Sequence, residues 1–373
     1  MAEAFTYGRL DLPQEIIDII VDYCHSGRET LLTCSLISRK WVTSSRYHLF
    51  LTVTIRLKPL NFNQFAFTIR SPLCTIRPFI QKMELCGFDD SRDALRRCSD
   101  KLGPMPGLWS LSIIDTFIRE ADTMDQLRRL CPWLVSLALV NVAFSLNPKI
   151  VTILGFEHSS ELELGGLQFL HPCSLSQFRL SPSLRHLLID LQDQGTVGWL
   201  VRHEEPFSIQ KLTVTIQSMP GIKSAQSLIG VAMRNISELI VEIWEEALLG
   251  LLRMQDMKSL SQLTSITIIT WVSAPSAWTF RNQLVHARRH LLLFSESPLE
   301  KITLSFRDKK EATGYVRFED LVSVIDWPAL DSIFQGPIGR SLSAIELGFP
   351  SYQLPLEKLL PSCAARGINL VSL

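Results

Sequence analysis

This chain has no surplus of either charge: 37 Lys plus Arg stand against 37 Asp plus Glu in 373 residues. A nucleic-acid binder carries a basic excess to neutralise phosphates, so the balance excludes a chain-wide polyanion-binding role and leaves only local patches open. Long apolar runs are missing as well. The most apolar stretches, such as 134–144, are too short and too interrupted to span a bilayer, so no membrane segment is expected. The first residues, Met1-Ala2-Glu3-Ala4-Phe5, lack the basic and apolar regions of a secretory signal. The last, Leu370-Val371-Ser372-Leu373, lack a prenylation cysteine. A soluble protein of the cytoplasm, the nucleus or both is the expectation.

The usual carriers of catalysis are also scarce. The 8 cysteines are scattered with no Cys-x-x-Cys, which points to reduced thiols used as small hydrophobes and not to zinc or disulfides. The 18 glycines form no nucleotide fingerprint, and neither a Gly-x-Ser-x-Gly elbow nor a Gly-Lys-Ser/Thr phosphate loop occurs. His286 and His290 share a helical face, but Arg288-Arg289 between them would repel a metal cation, so they read as surface or packing residues. Asp89, Asp90 and Asp93 lack the spaced pattern and closing Glu of a calcium loop and read better as the acidic start of a helix. The expectation is a non-enzymatic chain with no cofactor, no metal and no catalytic residue.

What is present begins near residue 12. Leu12-Pro13-Gln14-Glu15-Ile16-Ile17-Asp18-Ile19-Ile20 reads as a helix: Pro13 fits its first turn, and Glu15 favours the positive end of the helix dipole. Ile16, Ile19, Ile20 and Tyr23 recur at spacings of three and four and line one face, which Ile17 and Val21 widen. His25-Ser26-Gly27 breaks it. A second helix is predicted from about Arg28 to Ile37 and a third from about Arg39 to His48. Such a hairpin buries little apolar surface alone. It is either a docking handle or a helical cap on a larger domain.

The letters of this segment resemble the F-box, the short motif of substrate receptors in cullin-based ubiquitin ligases, in the form common in fungal proteins. The blocks are Leu-Pro-x-Glu-Ile from Leu12, then Leu31-Leu32-x-Cys34-Ser35-Leu36-Ile37-Ser38-Arg39-x-Trp41, then Leu49-Phe50. The resemblance implies that Leu12, Pro13, Ile16, Leu36, Ser38 and Trp41 contact a Skp-type adaptor, or support that contact, and through it reach a cullin. It covers residues 8–51.

Beyond it the chain repeats itself. The template apolar-x-x-apolar-x-apolar recurs from Phe50/Val53/Ile55 to Leu342/Ile345/Leu347. Its last position falls at 85, 113, 139, 164, 189, 214, 241 and 268, with intervals of 28, 26, 25, 25, 25, 27 and 27. That spacing lies in the leucine-rich-repeat range, and the period-two alternation is strand-like. Helix-compatible stretches lie between: 91–102, 122–130, 224–233, 245–257 and 318–325. Stacked strand-plus-helix units bury one another's apolar faces and form a solenoid with a parallel sheet. The alternative is an α/β domain whose strands are evenly spaced. The interval from Ile268 to Leu304 is 36 residues, long enough for a helix over 279–294 that either thickens the outer layer or contacts a ligand. Residues 307–311 read as a solvated loop and 355–365 as a C-terminal capping helix.

The array also resembles the leucine-rich-repeat F-box proteins, except that the repeat's Asn or Cys beyond the last apolar position is largely absent, with Val142 there in one unit. An irregular array, whose loops satisfy their backbone by other means, is therefore expected. Two segments follow: residues 8–51, an F-box-like helical module, and residues 52–373, a degenerate leucine-rich-repeat-like α/β solenoid. Outward strand positions are the natural target surface, with Glu163, His186, Leu188, Lys211, Thr213, Glu238, Ile240 and Thr267 as candidates. The reading is a substrate receptor of an SCF-type ubiquitin ligase with an unidentified target protein; the alternative is a repeat scaffold with no ligase role, whose helices turn their apolar faces wholly inward.

Overall fold

The computed structural model describes residues 12–57, 59–87, 100–118, 121–144, 158–169, 181–191, 200, 208–232, 235–244, 260–272, 291, 294, 297–308, 325–349 and 353–373. The predicted helices over 91–102, 245–257, 279–294 and 318–325 fall wholly or largely outside them, as do Asp89, Asp90, Asp93, His286 and His290. The chain forms an α/β fold, with N-terminal helices followed by parallel strands in a solenoid-like succession. It packs as two compact units: Met1–Thr116 with Asp125–Leu134, and Phe117–Met124 with Val135–Leu373. This division by packing falls inside the repeat array, because the first strands pack with the N-terminal helices.

In the first unit, α1 (Gln14–Tyr23), α2 (Arg28–Ile37) and α3 (Arg39–Phe50) precede three parallel strands, β1 (Thr52–Arg56), β2 (Lys82–Cys86) and β3 (Ser110–Ile114). Their order is that of the chain, paired Val53 to Met83 to Leu111 and Ile55 to Leu85 to Ile113. Phe50, the first position of the first template, ends α3, and the strand starts at Thr52. Helix α4 (Pro59–Arg70) follows β1, and α5 (Ala121–Leu130) supplies the Leu130 carbonyl that accepts the Met105 amide at 2.7 Å.

Among its described residues the second unit holds nine parallel strands in chain order: β5 (Ser136–Val140), β7 (Glu161–Gly165), β9 (His186–Asp190), β10 (Lys211–Ile216), β11 (Glu238–Trp244), β12 (Ser265–Val272), β13 (Lys301–Asp308), β14 (Ala344–Gly348) and β15 (Asn369–Ser372). The short strands β6 (Ala143–Phe144) and β8 (Gln168–Phe169) join β4 (Phe117–Ile118) in a small second sheet, and helix α6 (Met219–Ala232) follows β10. One row of the main sheet runs Leu137, Leu162, Leu187, Leu212, Leu239, Ile266, Ile302 and Ile345; the next runs Leu139, Leu164, Ile189, Val214, Val241, Ile268, Leu304 and Leu347. All sixteen are buried, so the apolar positions of the repeat are one continuous two-row core. Burying each side chain is worth about 1.5–3 kcal/mol before entropy is counted, and a one-residue slip would turn both rows outward.

A ladder of backbone hydrogen bonds links the starts of successive strands. The carbonyl just ahead of a strand accepts the two consecutive amides that open the next: Val135 from Ser160 and Glu161, Ser160 from Arg185 and His186, Arg185 from Gln210 and Lys211, all at 2.8–3.0 Å. The pattern continues through Gln210, Ser237, Thr264 and Glu300. Hydroxyls reinforce it, with Ser237 Oγ donating to the Gln210 carbonyl and Thr264 Oγ1 to the Ser237 carbonyl, each at 3.2 Å. The strand side of the array is accordingly more regular than its sequence led us to expect. Val142 is buried, and the turn after β5 is made by Asn141 with φ 53°, a left-handed conformation that Asn tolerates. Gly166 takes the same conformation after β7, where a Cβ would meet Asn141 Oδ1 at 2.3 Å.

Two further expectations are corrected. Arg307 and Asp308 belong to β13 and not to a loop; the Arg307 guanidinium sits 5.6 Å from the centre of the Trp271 ring on the neighbouring strand. The predicted helix over 355–365 is two short ones, α8 (Leu356–Leu359) and α9 (Pro361–Ala365), because Pro361 drives Leu360 out of helical geometry, to φ −125° and ψ 62°. Among the described residues no helix is long and apolar enough to cross a membrane, and Cys24, Cys34, Cys74, Cys86, Cys131 and Cys363 are free thiols.

The C-terminal end is held by a buried carboxylate. Asp331, on α7 (Trp327–Gln335), accepts the Ser362 and Cys363 amides at 3.2 and 3.3 Å, which caps α9. Burial opposes its charge, but these hydrogen bonds outweigh that and hold the carboxyl below its ordinary value. Asp331→Ala should cost about 2 kcal/mol in urea unfolding at neutral pH, the size of charged hydrogen bonds lost from a buried site. A lowered folded pKa gives stability that is complete above the unfolded value and lost as pH falls through the folded one. The gap between wild type and variant should therefore shrink below about pH 4.

Candidate functional site

Two surfaces collect the residues singled out in the sequence. The first is the helical hairpin. Ile17 and Val21 of α1 and Leu31 of α2 form its buried core, with Leu12, Cys24, Trp41 and Leu49 packed partly buried against them. A polar seam lies beside that core: Ser44 Oγ donates to Asp18, and His48 Nε2 meets Asp22 Oδ1 at 2.7 Å. Asp18 and Asp22 are four apart, as are Ser44 and His48, so two helical faces meet rung to rung. Gln14 Nε2 adds bonds to Asp18 Oδ1 at 2.8 Å and to the Lys40 carbonyl at 3.1 Å. The bonds from Ser44 and then Gln14 hold the Asp18 carboxyl below its ordinary value.

With core and seam assigned, large apolar side chains of both α1 and α2 remain in the open. Ile16, Ile19, Ile20, Tyr23, Leu32, Leu36 and Ile37 are exposed, Tyr23 and Leu36 to 85% each. Of the residues that the F-box resemblance singles out, Pro13, Ile16, Leu36 and Ser38 are exposed, whereas Leu12 and Trp41 are half-buried against the core. Pro13 is the cap of α1, its carbonyl accepting the Ile16 and Ile17 amides at 3.2 Å each. Ser38 is the extended residue between α2 and α3, with its carbonyl accepting the Trp41 amide at 3.1 Å. Leu32 and Ile37 were not singled out, although the doublet Leu31-Leu32 signals a helix with one inward and one outward apolar residue; in Leu36-Ile37 both side chains are exposed.

The second surface is the outward face of the second unit's sheet. Glu163, Leu188, Thr213, Ile240 and Thr267 are register neighbours in one row, and His186, Lys211 and Glu238 lie in the adjacent row. Thr213 is buried; the other seven candidates are half-buried. His186 Nε2 lies 3.3 Å from Thr213 Oγ1, and Lys211 Nζ pairs with Glu238 Oε1 at 2.8 Å. Burial, then the charge of Lys211, push the His186 pKa down, and burial pushes that of Glu163 up. At the far end Glu346 accepts from Lys301 at 2.7 Å and from Thr303 at 2.8 Å, an interaction that the sequence pattern did not reveal.

No family model matches this chain, and no curated protein matches it. Among solved structures, a chain in the crystal structure of the Rad7 and Elc1 complex in yeast is similar over 82% of this chain and 92% of its own length, at 12% identity and a TM-score of 0.24. A likeness at that score carries no weight for fold or function.

Chemically, both surfaces are suited to holding another macromolecule. Among the described residues no group of three or more His, Cys, Asp or Glu could hold a metal ion. The buried thiols of Cys131 and Cys363 are pushed up to about 12, chiefly by burial, which keeps them protonated and unreactive at neutral pH.

Proposed function

We propose that this protein is the substrate-recognition subunit of a cullin-based ubiquitin ligase of the SCF type. In this reading α1–α3 dock on a Skp-type adaptor, which links the chain to a cullin, and the outward sheet face of the second unit holds a target protein. The chain does no covalent chemistry; it acts by proximity, keeping the target beside a charged conjugating enzyme.

One observation carries the reading. The hairpin has its own core beneath, yet seven large apolar side chains of α1 and α2 remain exposed. Large apolar side chains left in water on a small module mark a docking site, and a hairpin serving only as a cap would turn those residues inward. Adaptor contact, or its support, is assigned to Leu12, Pro13, Ile16, Leu36, Ser38 and Trp41, joined by Ile19, Ile20, Tyr23, Leu32 and Ile37.

The test is reconstitution from purified components. Full-length chain and a Skp-type adaptor should co-elute in size-exclusion chromatography as a complex of equal stoichiometry. Separate elution at micromolar concentrations, with the chain folded by circular dichroism, would sink the ligase reading and leave the scaffold.

A further inference from the structure

The outward face of the second unit has the charge imbalance that the chain as a whole lacks. On β7, β9, β10 and β11 the outward rows carry Glu161, Glu163, Asp190, Glu238 and Glu242 against a single lysine, Lys211, and His186. Lys211 is already paired with Glu238. His186, its pKa pushed down by burial and by Lys211, adds little positive charge at neutral pH. A net negative potential remains over these strands.

Glu163 is the telling residue. It is half-buried, and among the described residues it accepts no hydrogen bond and forms no ion pair. Glu346, on the same face, has both Lys301 and Thr303 as partners. A carboxylate held partly out of water without a cation gains most from a cation that arrives with a partner, because its desolvation cost has already been met on folding. Beside it in register lie Leu188, Thr213 and Ile240, so half-buried apolar side chains sit between Glu161 and Glu163 on one side and Glu238 and Glu242 on the other. At about 4.8 Å per strand the row from Glu163 to Ile240 spans about 14 Å, the reach of about four extended residues.

We propose that the β7–β11 face binds an extended, basic segment of the target protein, with arginine or lysine against Glu161 and Glu163 and against Glu238 and Glu242, and apolar side chains against Leu188 and Ile240. This rests on the receptor reading of the second unit and adds to it the chemistry of the target. Arginine fits best at Glu163, since its planar fork satisfies both carboxylate oxygens at once. A nucleic acid would meet charge of its own sign.

The probe is a short fluorescein-labelled peptide of repeated Arg-Leu-Arg-Ser, titrated with full-length protein and followed by anisotropy. Binding should weaken by about ten-fold or more from low to roughly physiological salt, as screening of exposed charges requires. Glu161→Gln with Glu163→Gln should weaken it at low salt by about ten-fold or more. Leu188→Arg, which leaves every carboxylate in place, should weaken it comparably. A peptide of repeated Glu-Leu-Glu-Ser should not bind. Unchanged binding by both variants, or equal binding of the acidic peptide or of a single-stranded oligonucleotide, overturns the proposal. Adaptor co-elution is scored on the same preparations. Retained co-elution with no response to the basic peptide overturns this inference alone, whereas peptide binding without co-elution supports it and removes the ligase reading.

Discussion

Leu36→Glu in the full-length chain should abolish co-elution with a Skp-type adaptor while leaving the thermal unfolding midpoint within about 1 °C of wild type. Leu36 lies in the last turn of α2 and is 85% exposed, so the fold loses almost no buried area when it is replaced. An adaptor that covers it would lose a central apolar anchor, worth on the order of 2 kcal/mol or more, and would have to bury a carboxylate in its place. Together these correspond to at least roughly a hundred-fold loss of affinity. The pair Leu12→Ala and Pro13→Ala, which the motif alone recommends, is a poorer test. Leu12 packs against the Ile17, Val21 and Leu31 core, and Pro13 caps α1, so loss of binding could follow from a loosened hairpin. Trp41→Ala has the same defect. A scaffold with no adaptor would treat Leu36→Glu as silent in every assay.

The contrast between Leu36 and Leu12 shows how far the sequence could be read. Helices α1–α3 and the main-sheet strands from β1 to β14 were legible, because a period of three to four and a period of two each leave a plain trace in the apolar letters; β15, which lacks the full template, was not. The register was legible for the same reason: the apolar triplets counted along the chain are the residues that stand side by side in the sheet. Which apolar residue of α1 turns inward was not. Ile16, Ile17, Ile19 and Ile20 are interchangeable in a pattern, and the choice is made by α3, whose Ser44 and His48 engage Asp18 and Asp22 and so rotate Ile17 and Val21 into the core. The backbone ladder at the strand starts was likewise invisible, since amide and carbonyl groups are the same in every residue. On the sheet face the sequence placed Glu163, Leu188, Thr213 and Ile240 in one row. It could not tell that Thr213 is buried or that Glu163 has no cation among the described residues, because both depend on neighbouring strands.

Gly339→Ala should be the most damaging single methyl group that can be added to the second unit. Gly339 is buried in the short 3-10 turn that follows α7, and a Cβ there would lie 1.5 Å from the Phe334 carbonyl oxygen and 2.6 Å from its carbon. Those are backbone atoms at the end of a helix, so no rotamer change relieves the clash. The same carbonyl accepts Arg366 Nη1 at 2.7 Å, and Arg366 Nη2 donates to the Gly339 carbonyl, so one guanidinium ties the end of α7 to the turn. Separating the two segments breaks both charged hydrogen bonds and strains the packing of Phe334 and Ile338, each buried. A cost of about 4 kcal/mol or more follows, which for a unit of this size lowers the unfolding midpoint by roughly 10 °C. Gly230→Ala is the matched control. It lies in the helix Met219–Ala232, exposed and with nothing within 4 Å of the added Cβ, so there the methyl group should stabilise by about 0.5–1 kcal/mol through helix propensity. Calorimetry of the two variants should move in opposite directions. A Gly339→Ala protein that melts within about 2 °C of wild type would mean that the turn and α7 do not meet as described, and that the Asp331 and Arg366 contacts do not brace the C-terminal strand.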